Sequence, residues 1–158
     1  MSEDSFYISE AEVDERNIIT WNHELEQERK SAVFDLTNNC YFKLRKINSG
    51  PYKIKIKFEE WKLYLLITDL FDNKEYEKKF LVSNIRRIIR DYQIVCDNYV
   101  EAIKTSPLKK IEAIDVGRRS IHDEGSSILQ EILKPDIDIS SDTARRLFTL
   151  ISILSVKI

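Results

Sequence analysis

Hydrophobic and polar positions repeat with two periods along this chain, and each period names an element. Tyr52, Ile54, Ile56 and Phe58 alternate with Lys53, Lys55 and Lys57, a period of two that predicts a strand buried on one face. Leu63 to Thr68 is apolar on both faces and predicts a more central strand. Tyr76 to Val82 returns with Tyr76, Phe80 and Val82 on one side. Asp72-Asn73 supplies a turn, and Asn48-Ser49-Gly50-Pro51 breaks the chain before the first of these strands. Together they predict an antiparallel meander. Phe6 to Val13 is also strand-like, though Glu10 and Glu12 interrupt it.

After Val82 the period becomes helical. Ser83 is placed to cap a long helix with the stripe Ile85, Ile88, Ile89, Tyr92, Val95, Cys96, Tyr99, Val100 and Ile103. Thr105-Ser106-Pro107 stops it, and Pro107 suits the start of the next helix. That helix runs to about Leu133, ends at Lys134-Pro135, and carries Leu108, Ile111, Ile114, Ile121, Ile128, Leu129 and Ile132 on one face. Upstream, Asn22 caps a helix with Glu24 and Glu26 in its first turn. Its apolar face is Leu25, Ala32, Val33 and Leu36, and it ends near Asn38-Asn39. Ile137 and Ile139 suggest a short strand. Ser140, Ser141 or Asp142 then caps a last helix that is apolar nearly all round from Leu147 to Leu154, as a central core helix or a dimer interface would be. The chain therefore reads as α+β: a small antiparallel β-meander packed against three or four helices, one domain over residues 6–158 behind a disordered tail over 1–5. Most helices follow the strands, which argues against a doubly wound fold.

Composition narrows the function classes. The chain has 158 residues, 25 Lys and Arg against 27 Asp and Glu, and a formal net charge of -2. That balance supplies no global attraction to nucleic acid or anionic membrane. Lys53, Lys55 and Lys57 beside Trp61 and Tyr64 have the residue types of a nucleic-acid surface, but lysines on a sheet also block edge-to-edge pairing, and the overall balance favours that role. Cys40 and Cys96 are too few and too far apart for a disulfide framework or a CxxC centre. No apolar run reaches the roughly 18 residues of a membrane span, and the polar N-terminus is neither a signal nor a transit segment. These features predict a cytoplasmic protein.

The candidate chemistry lies in the helix after Pro107. Asp115, Arg118 and His122, spaced by three and four, fall inside its apolar stripe, with Arg119 at the edge and Gly125 one turn on. One reading is a pocket. Arg118 would hold an anion, His122 would move a proton with Asp115 orienting its partner, and Gly125 would open the wall to a ligand or a second backbone. The other reading is a paired structural network, because buried charges need partners. Three Arg pairs, Arg86-Arg87, Arg118-Arg119 and Arg145-Arg146, add a second candidate. Two pairs sit early in helices, where cations oppose the dipole and an anion would relieve the conflict. Arg86, Arg90 and Arg146 would form that site, converging on Arg118, unless they are simply solvated or salt-bridged. No cofactor is expected. Gly50, Gly117 and Gly125 make no GxGxxG or Walker loop, there is no HExxH or GxSxG, and His122-Asp123-Glu124 lacks the PCxxC of a zinc deaminase. With only His23 and His122, a His-rich metal site is excluded.

Several separated blocks resemble one known family. They are HELEQERKSAVFDL (residues 23–36), SGPYKIKI (49–56), NIRRIIRDYQIVCDNY (84–99), VEAIKTSPLKKIEAIDVGRRSIHDEG (100–125) and DTARRLFTLISIL (142–154). In this order they are similar to an uncharacterised protein family (UPF) found mainly in alphaproteobacteria. Near Ile114 the family pattern reads AIDMGRRGLHNEG; Asp115, Gly117, Arg118, Arg119, His122 and Glu124 match, while Val116, Ser120, Ile121 and Asp123 differ. The resemblance implies a small cytoplasmic bacterial protein and lends no catalytic residue, cofactor or substrate. The leading expectation is a non-enzymatic binding or regulatory module for a small anion or a protein partner. The alternatives are an enzyme with His122 as acid or base and Arg118 holding a phosphate or carboxylate, and a subunit of a larger assembly, a homo-oligomer included.

Overall fold

The computed structural model describes residues 5–14 and 22–156; of the expected tail, residues 1–4 lie outside them. Within that span the elements run β1 (Ile8–Val13), α1 (His23–Asp35), β2 (Phe42–Leu44), β3 (Tyr52–Glu59), β4 (Lys62–Asp69), β5 (Lys74–Leu81), α2 (Arg86–Thr105), α3 (Leu108–Leu133), β6 (Ile137–Ile139) and α4 (Ser141–Leu154). The α+β class and the meander β3-β4-β5 are as expected. The sheet itself is mixed: its order is β1-β3-β4-β5, and β1 joins β3 in parallel with a bulge between Ile8 and Glu10. A second, two-stranded antiparallel sheet pairs β2 with β6; β2 has no counterpart among the strands expected from the hydrophobic pattern.

The period-two pattern of the meander is realised in its burial. Tyr52, Ile54, Ile56, Leu63, Leu65, Ile67 and Phe80 are buried and join one continuous core with Leu129, Leu133, Leu147, Phe148, Leu150 and Ile151. The opposite face carries Lys53, Lys55, Lys57, Tyr64, Glu75, Glu77 and Lys79, with Lys57 and Lys79 each over the Tyr64 ring. Its lysines are matched by glutamates, Glu10 against Lys53 and Glu12 against Lys55 in register, so this face is not a basic surface.

The β3–β4 turn has no glycine, yet Glu60 and Trp61 both take left-handed φ (52° and 58°), as a two-residue hairpin turn demands. Trp61 is held there by an edge contact with Phe58 at 5.2 Å and by the Arg86 guanidinium over its ring at 5.5 Å. Ser83 does not cap an α-helix. It opens a 3-10 turn, Ser83–Ile85, and α2 begins at Arg86 with no side-chain cap. Asn22 and Ser140 do cap α1 and α4, their side chains accepting from Glu24 and Leu25 and from Thr143 respectively.

Helix lengths set the shape of the helical layer. Ser106 is extended, as a residue before proline prefers, so α2 stops and α3 folds back on it as a hairpin. At 1.5 Å per residue α2 spans about 30 Å and α3 about 39 Å, whereas α4 spans about 21 Å. α4 runs back along the hairpin from β6 and ends before the hairpin tip. Gly117 causes no break; α3 is continuous through it.

Candidate functional site

The i+3 and i+4 spacing in α3 does what it predicts. One carboxylate, Asp115, engages two guanidiniums. Arg118 donates Nε and Nη2 to its Oδ1 at 3.1 and 2.7 Å, and Arg119 Nη2 meets its Oδ2 at 3.1 Å. The triad is half-open, with Asp115 and Arg118 partly covered and Arg119 58% exposed. Arg118 also lies over the Tyr99 ring at 5.5 Å and interacts with the Tyr92 hydroxyl, both from α2. The Arg118 hydrogen bond holds the Asp115 carboxyl below its ordinary range; burial opposes it, and the charges of Arg118 and Arg119 add to it.

His122, one turn further, is not part of that triad. It is 8% exposed and enclosed by Tyr92 and Phe148, whose ring centroids lie 5.2 and 5.1 Å away. Its Nε2 is 2.8 Å from Thr149 Oγ1 in α4. Thr149 has one hydroxyl proton and donates it to the Arg145 carbonyl at 3.1 Å, so His122 Nε2–H is the donor to Thr149. Ser126 likewise donates its one hydroxyl proton to the His122 carbonyl at 2.7 Å, so the unprotonated Nδ1, 3.5 Å from its oxygen, receives none from it. Burial first, then the charges of Arg145 and Arg118, push the His122 pKa down, with Asp123 opposing. His122 is thus a neutral, buried imidazole linking α3 to α4.

Gly125 explains how α4 comes so close. A Cβ there would stand 2.2 and 2.6 Å from Cε2 and Cζ of Phe148 and 3.0 Å from Ile88. The opening expected at Gly125 exists, and the Phe148 ring fills it.

The arginines do not converge. Arg86 lies on Trp61 at the meander turn. Arg90 is exposed on α2. Arg146 reaches the end of α1, where its Nη1 donates to the Asp35 and Asn38 carbonyls at 2.8 and 2.5 Å and lies 3.2 Å from Cys40 Sγ. There it serves as a cationic C-cap for a helix whose last turn has no basic residue of its own. Arg145 pairs with Asp123 at 3.1 Å.

The sequence reading passed over the α2 side of the cluster. Tyr92, Cys96 and Tyr99 looked like ordinary stripe residues, yet they lie along Arg118 and His122. The Tyr92 hydroxyl is pushed up to about 12 by burial, and burial also raises the Cys96 thiol, against the pull of Tyr92 and Arg118. Also passed over was a cleft of about 800 Å³ between α1, α2 and α4. Leu25, Ala32, Tyr92, Cys96, Val100, Ile153 and Val156 supply its apolar surface, Glu24, Glu28, Asp35 and Asp97 its charge, and no Lys or Arg among the described residues lines it. Among the described residues, no three His, Cys, Asp or Glu side chains group as a metal site, no helix is long and apolar enough to cross a membrane, and no buried side-chain nitrogen or oxygen lacks a partner.

Apolar side chains are exposed where α4 no longer covers the hairpin. Val100 (55%), Ile103 (57%) and Leu108 (68%) cluster toward its tip, with Ile94 and Val116 on its flanks. The last helix is itself buried, through Leu147, Phe148, Leu150 and Ile151. Of the two roles its all-round apolar pattern allowed, this helix takes that of a core helix, and the exposed apolar side chains lie on the hairpin.

Comparison with known proteins agrees with the resemblance of the sequence blocks. The profile of an uncharacterised protein family, UPF0262, matches residues 6–157. A UPF0262 protein of Ruegeria sp. (strain TM1040) is 41% identical over 152 residues, 93% of this chain and 96% of the relative. One from Ruegeria pomeroyi is 40% identical over 152 residues (93% and 94%), and one from Caulobacter vibrioides 38% over 147 residues (93% and 91%). No solved structure matches this chain.

Proposed function

We propose a non-enzymatic, protein-docking role in the bacterial cytoplasm for this chain, which belongs to the uncharacterised family UPF0262. The observation that carries the reading is the run of exposed apolar residues Val100, Ile103 and Leu108 on the part of the α2–α3 hairpin beyond α4. Large apolar side chains left exposed near one another in the chain, on a protein with a core of its own, point to an interaction site. The candidate catalytic groups support the same reading, because His122 bonds internally to Thr149 and Asp115 is taken up by two arginines.

The test is site-specific photo-crosslinking in an alphaproteobacterial cell, with a photoreactive residue at position 103 or 108 and a control at position 79 on the open sheet face. Polypeptide adducts at the hairpin positions are expected, absent at position 79 and lost from 108 when Ile103→Asp is added. Equal adducts at all three positions, or none, would overturn the reading.

A second reading, a small-anion site, is favoured by the net positive charge of the Asp115, Arg118 and Arg119 triad and the exposure of Arg119. Inorganic phosphate that raises the melting temperature of wild type but not of Arg119→Ala would support it; no shift in either would sink it.

A further inference from the structure

We infer that the docking face of the hairpin takes a second copy of this chain, α2 packing antiparallel on α2 of its partner. The inference rests on the docking reading above and names its occupant.

The pattern is in α2. Gln93, Cys96, Val100 and Ile103 follow one another at spacings of three, four and three, the a and d positions of a coiled-coil seam. At the inner end this row is in use: Gln93 Nε2 donates to the Ser152 carbonyl at 2.8 Å and to Ser155 Oγ at 3.0 Å, both at the end of α4. The row then leaves the fold. Cys96 is partly covered, and Val100 and Ile103 are more than half exposed. A second helix laid on the outer end would continue packing that α4 begins.

Charge selects the orientation and the occupant. The position after each d residue flanks the seam; here those residues are Asp97 and Lys104, both exposed and of opposite sign. In an antiparallel pair with Val100 of each copy against Ile103 of the other, these flanking positions face each other, so Asp97 of one copy meets Lys104 of the other, twice. Asp97 also lies in the wall of the cleft with Glu24, Glu28 and Asp35. The tip that would approach it bears Lys104, Lys109 and Lys110 around Ile103 and Leu108, against one acid, Glu101. An acidic cleft and a basic, apolar tip on the same chain make a self-complementary surface, as a two-fold dimer needs. The contact is short, at the small end of specific interfaces, so a dissociation constant in the micromolar range is expected.

The experiment is sedimentation equilibrium of the purified full chain over a wide concentration range, with Asp97→Lys, Lys104→Asp, the double variant, and an equimolar mixture of the two single variants. Each single reversal sets like charges against each other twice and should weaken the dimer by about tenfold or more. The double variant and the mixture restore both pairs and should dimerise like wild type, a recovery that misfolding would not produce. A wild-type chain that stays monomeric to roughly 200 μM, far above the micromolar range expected of so small a contact, would overturn the inference. So would a dimer indifferent to the single reversals, or a mixture no tighter than either single variant. The docking reading is judged separately: crosslinks at 103 and 108 to a polypeptide other than this chain would leave it standing while the second copy is ruled out, and the absence of any crosslink would remove both.

Discussion

The two ends of the α2–α3 hairpin begin from the same apolar periodicity and come to different environments. At the inner end, Ile85, Ile89, His122, Gly125, Leu129 and Leu133 are buried against α4 and the sheet. Toward the outer end Val100, Ile103 and Leu108 are exposed on the same two helices, and Ala102 is the buried residue of that part of α2. An apolar stripe says that a face is to be covered. It does not say by what. Here the covering element is α4, and its 14 residues are too few to reach the tip.

Deleting one large side chain from each end separates them most widely. Phe148→Ala removes the ring that fills the Gly125 opening and packs on Tyr92 and His122, and should cost about 3–5 kcal/mol. Ile103→Ala should stay within about 0.5 kcal/mol at concentrations where the chain is monomeric. Thermal or urea unfolding of the two variants decides it, and a comparable loss from both would erase the distinction.

Gly125→Ala comes next. The new methyl has nowhere to go without moving Phe148, so overpacking should cost about 1–3 kcal/mol, offset in part by a helix-propensity gain of up to about 1 kcal/mol. A net fall in melting temperature is expected; a rise would show that the ring moves aside freely.

How much of this was legible beforehand differs between local and long-range features. The triad was readable, because Asp115, Arg118 and Arg119 are neighbours through helix geometry alone. The meander was readable from its period of two, and the Asn22 cap from residue type and position; Ser140 was one of three candidates for the last cap. What could not be read depends on partners distant in sequence. β2 has three residues and exists through its pairing with β6, nearly a hundred positions away. The parallel direction of β1 leaves no trace in its own pattern. Arg146 was grouped with other arginines because its sequence neighbours suggested an anion, whereas its actual acceptors are carbonyls at the end of α1, more than a hundred residues earlier. His122 was correctly placed on the inner face, but its neutrality follows from Thr149 and Phe148, which only the return of α4 supplies.

Arg146→Ala tests that reassignment. Loss of the cationic cap should cost about 1–2 kcal/mol, and amide exchange should quicken in the last turn of α1, around Val33 to Leu36, more than in α3. Uniform exchange would mean that Arg146 does not hold the end of α1.

Proton linkage at His122 gives a smaller signal. Its folded pKa lies below the ordinary value of about 6.5, so the unfolded chain binds the proton more readily. Stability from this group is fully present above pH of about 6.5 and is lost as pH falls from there toward the folded pKa. Asp115 acts lower: its depressed folded pKa stabilises the chain above about pH 3.9 and the benefit goes as pH drops through its folded value. Melting curves from about pH 7.5 to about pH 5, which bracket the ordinary imidazole value of roughly 6.5, should therefore show a decline that His122→Gln flattens and Asp115→Asn does not.

The finest division is drawn by Gly117, eight positions before Gly125 on the same helix. A Cβ at Gly117 would meet nothing within 4 Å, so alanine there adds no crowding and removes only the flexibility of glycine in the unfolded chain. Gly117→Ala should raise stability by about 0.5–1 kcal/mol, or roughly 1–4 °C for a chain of this size. The same substitution thus carries opposite signs at two positions of one helix, because a neighbouring ring occupies the space at Gly125 that is open at Gly117. Unchanged or lowered stability at Gly117 would mean that the outer hairpin is already covered in solution, and a melting temperature that then depends on protein concentration would identify the cover as another copy of the chain.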